Sequence, residues 1–305
     1  MSERASDIKA RLETVDQLEA VITAMRSIAA ARTRQARERL DGIRAYAQTI
    51  GTAIGQSLAF LPDQEFSVPA TAASSADIGV VNVVIALTAE QGFAGAFSDR
   101  VLDKSATCLD DSAPRVSGNE LMLVGDRGLM VATERNLPVT WSAPMAAHVD
   151  DVPALANRIA DALYPRMLSG QALHVSLIHG EPDPSEAVAL VERTLLPFDF
   201  NRFPGTARSL TPLVTMPPEH LIERLAEEYI FAELCAALML SFAAENEARM
   251  RAMIGARSNV RRTRDKLRAT FRQLRQEQIT TEIVELAGGR LAQAGSGRQH
   301  RNGPA

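Results

Sequence analysis

Residues 219–289 read EHLIERLAEEYIFAELCAALMLSFAAENEARMRAMIGARSNVRRTRDKLRATFRQLRQEQITTEIVELAGG. This stretch contains no proline, a residue that removes a backbone donor and clashes with the preceding helical turn, so it predicts one long helix. Apolar residues recur every seven positions along it, at Met253, Val260, Leu267 and Leu274. Such a series predicts an apolar seam. The Gly288-Gly289 pair predicts the end of the helix, and residues 290–305 predict a flexible tail.

The other end of the chain has the same character. Fourteen of the 15 prolines lie between Pro62 and Pro218, and residues 1–61 contain none. A second seven-residue series runs through Ile8, Val15, Ile22, Ala29, Ala36, Ile43 and Ile50. A companion series three positions later is apolar only at Leu18, Met25 and Tyr46. We therefore predict an N-terminal helix over residues 1–61 and a longer C-terminal helix over 217–289. An antiparallel pair would leave part of the longer helix unpaired.

The region between the two helices alternates strand and helix signals. Residues 80–87 (VVNVVIAL) form a continuous β-branched run, typical of a strand buried on both faces. Further strands are predicted at 121–124, 139–141, 174–178 and 187–195, with helices near 96–109, 127–135 and 152–169. This alternation predicts an open, mostly parallel α/β sheet domain over residues 79–196. The linkers are residues 62–78 and 197–218.

Charge is distributed unevenly along the chain. Residues 1–61 carry nine basic and seven acidic side chains, residues 62–245 carry 11 and 25, and residues 246–305 carry 13 and five. The helical ends are therefore basic and the central body is acidic. Such asymmetry is informative about partners rather than about the fold.

Several features bear on location. The most apolar helical run, residues 229–240, contains Glu233 and is far shorter than the ~20 residues of a membrane span. The first residues are polar and do not resemble a signal peptide. Cys108 and Cys235 are the only cysteines, a number that fits a reducing compartment. We expect a cytoplasmic protein that can dock on a membrane complex.

Motifs for intrinsic chemistry are weak. Residues 91–95 (QGFAG) follow the first strand, but they have neither the glycine spacing nor the lysine of a phosphate loop, so we read them as a tight turn. His174 and His179 are five residues apart on a predicted strand and point to opposite faces, unlike a metal pair. We expect no catalytic, cofactor-binding or metal-binding residue.

Two other readings stay open from the residues alone. One is an α/β nucleotide-binding enzyme with coiled-coil arms. The other is a coiled coil that binds nucleic acid through the basic side chains of residues 257–275, most of which have no acid four residues away on the same helix. These side chains belong to Arg257, Arg261, Arg262, Arg264, Lys266, Arg268, Arg272 and Arg275.

Three segments carry a family resemblance. Residues 21–32 (VITAMRSIAAAR) are similar to an ITKAM segment followed by A-A-A-K, and residues 248–253 (ARMRAM) with Asn259 are similar to an ARM-x-AM…N segment. Residues 275–289 (RQEQITTEIVELAGG) are similar to an RQ-x-x-IT-x-E signature that ends in GG. In this order the segments resemble the gamma subunit of F-type ATP synthases, over residues 1–289. Residues 90–95 (EQGFAG) keep only the glycines of the family's D-[RK]-G-L-C-G turn, which indicates a divergent branch.

The resemblance implies a fold and a mechanism. The terminal helices would form a long antiparallel coiled coil with the α/β domain inserted between them. Residues 272–286 would sit in the sleeve of alternating catalytic and non-catalytic subunits, where the angle of an asymmetric shaft decides which catalytic subunit is open, loose or tight. The chain itself would be a non-catalytic subunit that couples ion flow to ATP synthesis or hydrolysis.

The resemblance also implies contact residues and partners. Expected contacts with the ring are Met25, Arg26, Arg32, Arg275, Gln276, Thr280 and Glu282, with Arg275 and Gln276 as a polar catch and with Arg26 and Arg32 in the same region. Arg202 and Phe203 are the expected lower contact. The partners would be the ring subunits, an epsilon-type subunit and the membrane rotor ring of c subunits, without nucleic acid, at one copy per complex. The complex would lie on the cytoplasmic side of a bacterial plasma membrane.

Overall fold

The computed structural model describes residues 2–60, 80–110, 116–168, 172–183, 185, 187–203 and 214–299. Its helices are α1 (Ser2–Leu58), α2 (Phe97–Asp110), α3 (Asp126–Glu134), α4 (Val152–Leu168) and α5 (Pro218–Gln299). Its strands are β1 (Val80–Leu87), β2 (Val116–Val124), β3 (Val139–Ala143), β4 (Ala172–Asp183) and β5 (Ala187–Leu196). Two short 3-10 helices, Val149–Asp151 and Phe200–Arg202, complete the order.

The five strands form one sheet in the order β3-β2-β1-β4-β5. Strands β1 to β4 pair in parallel, and β5 pairs antiparallel with β4 at the edge. The helices α2, α3 and α4 connect the parallel strands, because each such connection has to cross from one end of the sheet back to the other. The predicted open, mostly parallel α/β sheet is confirmed, and so is the long C-terminal helix.

The central strand is buried on both faces because its side chains alternate between two cores. Val83, Ile85 and Leu87 pack in one core with α4 and with parts of α1 and α5. Val84 and Ala86 pack in the other core, which includes Phe97 and Val101 of α2. All five of these β1 side chains are fully buried. A strand with a helical layer on each face therefore needs a continuous apolar run, which is the pattern that β1 shows.

The chain divides into two compact units, and both long helices contribute to each. The sheet unit comprises Ser27–Ala252. In it, the α5 residues Leu234, Leu238 and Phe242 pack in the same core as Ala36 and Leu40 of α1. This stretch of α5 is therefore a core helix of the sheet unit. The domain limits predicted from the sequence remain a prediction.

The helix-pair unit comprises Met1–Arg26 and Met253–Ala305. Its buried apolar contacts are Ile22 of α1 with Met253 and Val260 of α5, flanked by partly buried Val15, Met25 and Ala256. Asp16 lies 3.8 Å from Arg264, and Glu19 contacts the earlier Arg257 and Arg261, so the two segments run antiparallel. Among the described residues, the seam of this unit therefore contains three buried apolar side chains.

Two predictions about the long helices are wrong. The helix α5 does not end at Gly288-Gly289 but continues to Gln299, because glycine in a helix costs only about 1 kcal/mol and does not forbid the conformation. Residues 300–305 of the predicted tail, like the linker at 62–78, lie outside the described residues. In α1 only Met25 of the apolar companion series packs against the seam, whereas Leu18 and Tyr46 are 47% and 43% exposed.

The buried companions in α1 lie four residues, not three, after the main series. They are Thr33, Leu40 and Ile54. A straight helix that packs against a broad core buries an i, i+4, i+7 stripe, whereas only a supercoiled pair keeps a strict 3.5-residue seam. Among the described residues, no helix combines the length and apolarity that a bilayer crossing requires.

Candidate functional site

The end of α5 presents an uncovered surface that mixes polar and apolar side chains. Arg275, Gln276, Thr280 and Glu282 are exposed. Their described hydrogen bonds stay within the helix: the Thr280 hydroxyl donates to the Gln276 carbonyl at 2.8 Å, and Gln278 donates to Glu282 at 3.1 Å. The same segment exposes apolar side chains that a water-facing helix does not need, namely Ile279 (48%), Ile283 (61%), Val284 (64%) and Leu286 (72%).

The register of the helix pair explains why this end is uncovered. Because Glu19 lies opposite Arg261, Ser2 at the start of α1 falls opposite about residue 278 in an antiparallel pair. The four exposed apolar residues therefore lie beyond the described start of α1. The exposure is a property of helices of unequal length, as the sequence predicted.

The expected contacts on α1 do not gather beside Arg275. Met25 is partly buried against the seam formed by Ile22, Met253 and Val260. Arg26 is half-buried in the helix-pair unit, and the register separates it from Arg275 by about 30 Å along the axis. Arg32 is half-buried in the sheet unit. The expected proximity of Arg26 to Arg275 is wrong, since the same antiparallel register that frees the end of α5 carries Arg26 away from it.

Glu19 is a residue that the sequence reasoning missed. Its carboxylate accepts from Arg257 Nε at 3.3 Å, Arg261 Nε at 2.9 Å and Arg264 Nη1 at 2.5 Å. These hydrogen bonds, Arg261 first, hold the pKa of Glu19 below its usual value. A signal was present in the sequence: Glu19 lies four residues after Val15 and three before Ile22, so it must border the seam.

The turn after β1 is fixed to α5 by a buried ion pair. Arg249 pairs with Glu245 one turn earlier, and their side chains are only 6% and 4% exposed. Arg249 also donates to the carbonyls of Gly92 at 3.2 Å and Gln91 at 3.3 Å, while the Gln91 amide donates to Glu245 at 3.4 Å. A carboxylate therefore takes up a backbone amide that a phosphate-binding turn would need, which favours the tight-turn reading over a nucleotide site.

The turn itself presents an aromatic side chain. Phe93 is 66% exposed and has a φ of 65°, in the left-handed region that non-glycine residues adopt only when their surroundings enforce it. The hydrogen bonds of the preceding residues to Arg249 supply that constraint. Just before Gln91, the Glu90 carboxylate accepts a hydrogen bond from the backbone amide of Met145 at 2.7 Å.

The predicted lower contact lies in an aromatic cluster at the end of β5. Phe203 stacks on Phe198 with ring centroids 5.7 Å apart and meets the edge of Tyr229 at 4.9 Å. The Arg202 guanidinium lies over the Tyr229 ring at 5.7 Å, and one of its nitrogens is 3.9 Å from Glu233. The structure thus brings Arg202 and Phe203 together. In the described part of the chain, no group of histidine, cysteine and acidic side chains could hold a metal ion.

Comparison with known proteins gives a consistent result. A family model described as ATP synthase matches residues 4–292. The chain belongs to the ATP synthase family. Similar relatives are ATP synthase gamma chains from Bdellovibrio bacteriovorus (26% identical, covering 95% of this chain and 98% of the relative) and Pelodictyon phaeoclathratiforme (29%, covering 93% and 96%).

Solved structures agree on the fold of this ATP synthase family member. A chain of the Euglena gracilis mitochondrial ATP synthase matches with a TM-score of 0.62 at 14% identity, covering 99% of this chain and 98% of the other. A rotor chain of the same enzyme matches with a TM-score of 0.59 at 12% identity, covering 92% and 100%. The resemblance to gamma subunits is confirmed, and with it the role of a non-catalytic, central-stalk type of subunit.

Proposed function

We propose that the chain transmits rotation between a membrane rotor ring of c subunits and a catalytic ring of alternating subunits, as the single gamma-type subunit of a bacterial ATP synthase. The complex lies at the cytoplasmic face of the plasma membrane, and an epsilon-type subunit binds the acidic sheet unit. The observation that carries this proposal is the uncovered apolar surface of Ile279, Ile283, Val284 and Leu286. Such a surface on one helix needs a surrounding partner.

The apolar and the polar side chains at the end of α5 serve different kinds of contact. The apolar side chains favour a close-fitting, water-excluding sleeve. The exposed Arg275 and Gln276 lie at the start of the segment and supply guanidinium and amide donors for acidic or carbonyl groups of that sleeve. Thr280 and Glu282 extend the polar face. We assign Met25 and Arg26 of the helix-pair unit, and separately Arg32 of the sheet unit, to further contacts with the ring. Differences in contact around an asymmetric shaft bias otherwise equivalent catalytic sites.

The lower contact follows from the aromatic cluster. Arg202 has a side chain that is 44% exposed, while its guanidinium is positioned by Tyr229 and Glu233. A half-exposed arginine held on a rigid aromatic support is suited to the polar loops of a rotor ring. We assign Arg202 and Phe203 to this contact.

The proposal is tested by reconstituting the complex with altered chains. Deleting residues 272–305 should leave the sheet unit folded and abolish most ion pumping per ATP hydrolysed. A finer variant, Ile283→Asp, should lower ion pumping several-fold. The matched control is Thr281→Asp, which alters a neighbouring exposed position that is already polar and should therefore leave ion pumping nearly unchanged. Recovery of the wild-type chain as a free homodimer, without ring subunits, would contradict the proposal.

A further inference from the structure

The helix-pair unit places arginine where a coiled coil normally places apolar residues. Arg257 and Arg264 are seven residues apart, in the series that also contains Met250 and Phe271. Their side chains are 30% and 22% exposed, so each is largely removed from water. Guanidinium groups at such positions need a partner, because a charge that loses its hydration without a counter-charge is strongly destabilising.

A single carboxylate supplies the counter-charge for these arginines. Glu19, with a side chain only 15% exposed, accepts from Arg257, from Arg264 and from Arg261 between them. Asp16 adds a longer contact of 3.8 Å to Arg264. Among the described residues of this unit, every ion pair between α1 and α5 involves one of these two acids.

The arginine spacing distinguishes the observed register from slips of one or two helical turns. Sliding α5 by one helical turn in either direction changes which residues Glu19 meets. A slip of four residues would present Arg261, Asp265 and Arg268, which includes a repelling acid. A slip of seven would present Arg264, Arg268 and Phe271.

The remaining slips are poorer. A slip of three residues towards the C-terminus would present Val260, Arg264 and Leu267. Slips of three, four or seven in the opposite direction would each leave a single arginine opposite Glu19. Of these registers, only the observed one offers three guanidinium groups. A slip of eleven residues would also present three, from Arg268, Arg272 and Arg275, but it would put Arg264 in the place of Met253 in the apolar seam. The apolar seam discriminates less, because its members recur every seven residues and a seven-residue slip replaces Val260 with Leu267.

We propose that Glu19 is the positioning residue that sets the register of α1 against α5 in the helix-pair unit. It thereby sets how much of the segment from Arg272 to Leu286 extends beyond α1. A polar group at a single seam position is the best-attested way in which a coiled coil specifies its register at some cost in stability. This inference rests on the proposed function, since the length of the free segment matters only if a ring surrounds it.

Disulfide trapping in the reconstituted complex tests the register directly. In a chain with Cys108→Ser and Cys235→Ala, the pair Ile22→Cys with Val260→Cys reports the observed register. The pair Ile22→Cys with Leu267→Cys reports a seven-residue slip. With Glu19 present, the first pair should form almost all of the disulfide. With Glu19→Gln, the ratio of the two yields should fall by about fivefold or more.

Controls separate register from folding and from function. Asp16→Asn, which removes a 53% exposed acid with one long contact, should leave the yield ratio unchanged. The charge exchange of Glu19→Arg with Arg261→Glu should restore most of the ratio and of the ion pumping per ATP hydrolysed. An unchanged ratio in the Glu19→Gln chain would overturn the inference. A wild-type chain that shows the observed register but does not couple would instead contradict the proposed function.

Discussion

Arg249 donates to Glu245 one turn before it in α5, and more than nine-tenths of each side chain is removed from solvent. The pair lies in the sheet unit, where it also binds the backbone of Gln91 and Gly92. An interaction within one helix therefore fixes a turn more than 150 residues earlier in the sequence.

Replacing Arg249 with leucine should destabilise the protein by about 3–5 kcal/mol, because it leaves the Glu245 carboxylate buried without a counter-charge and two carbonyls without a donor. Urea unfolding followed by circular dichroism measures this loss. Arg251→Leu is the matched control, since Arg251 is 37% exposed and its ion pair with Glu247 is 3.5 Å long. The control should cost no more than about 1 kcal/mol. Equal losses in the two variants would show that burial of the pair is unimportant.

The contact between α3 and Thr88, the residue that follows β1, leaves no room for a side chain at Gly128. A Cβ atom there would lie 1.9 Å from Thr88 Oγ1 and 2.4 Å from Thr88 Cβ, and Thr88 is fully buried. Gly128→Ala should therefore cost about 1–3 kcal/mol of unfolding free energy through overpacking. Gly255 in α5 has nothing within 4 Å of the same position, so Gly255→Ala should stabilise by about 0.4–1 kcal/mol. Thermal unfolding of the two variants should move in opposite directions, and a shift in the same direction would refute the packing argument.

His179 should make stability depend on pH. Burial lowers the pKa of its ring below the usual 6.5, and the charged groups that face it are Glu181 of β4, Arg193 of β5 and Glu233 of α5. The folded protein then binds fewer protons than the unfolded chain below about pH 6.5, so this contribution to stability is present above that pH and is lost as the pH falls through the lower, folded pKa.

The test compares the wild-type chain with His179→Asn between pH 7.5 and pH 5. The difference in unfolding free energy between the two should shift in favour of the variant as the pH falls. Parallel profiles over this range would mean that His179 takes up its proton equally in both states.

Cys235 should be inert in the folded protein. Burial raises the pKa of its thiol to about 11, so almost none is in the nucleophilic thiolate form at neutral pH. A maleimide reagent at pH 7.5 should label Cys235 only after denaturant is added. The Cys108→Ser chain isolates this site, and mass spectrometry follows the rate. Rapid labelling of native Cys108→Ser protein would contradict the buried position.

Much of the fold could be predicted from residue patterns because those patterns are local. A run of β-branched residues predicts β1, and the absence of proline predicts α1 and α5, since each depends only on neighbours along the chain. The predicted helices and strands of the sheet unit all occur. The Gly288-Gly289 pair failed as a helix end, because a weak local penalty does not decide the length of a long helix.

The site was less predictable because its contacts join distant segments. The scarcity of acids near the arginines of α5 was visible in the sequence, but the acid that pairs with three of them lies on α1, some 240 residues earlier. The expected proximity of Arg26 to Arg275 was wrong for the same reason, since only the register of the two helices fixes which residues are neighbours.

By itself, the sequence determined two long helices, an inserted open α/β sheet, the unequal lengths that leave the end of α5 uncovered, and the motifs that identify the family. These are properties of composition, period and order along one chain. The tertiary structure alone decided that Glu19 meets three arginines and that Arg249 holds the turn after β1. It also decided that α1 buries residues four apart in the sheet unit. Each of these depends on which surfaces face each other, and a charge or a methyl group acts only on what lies within a few ångströms of it.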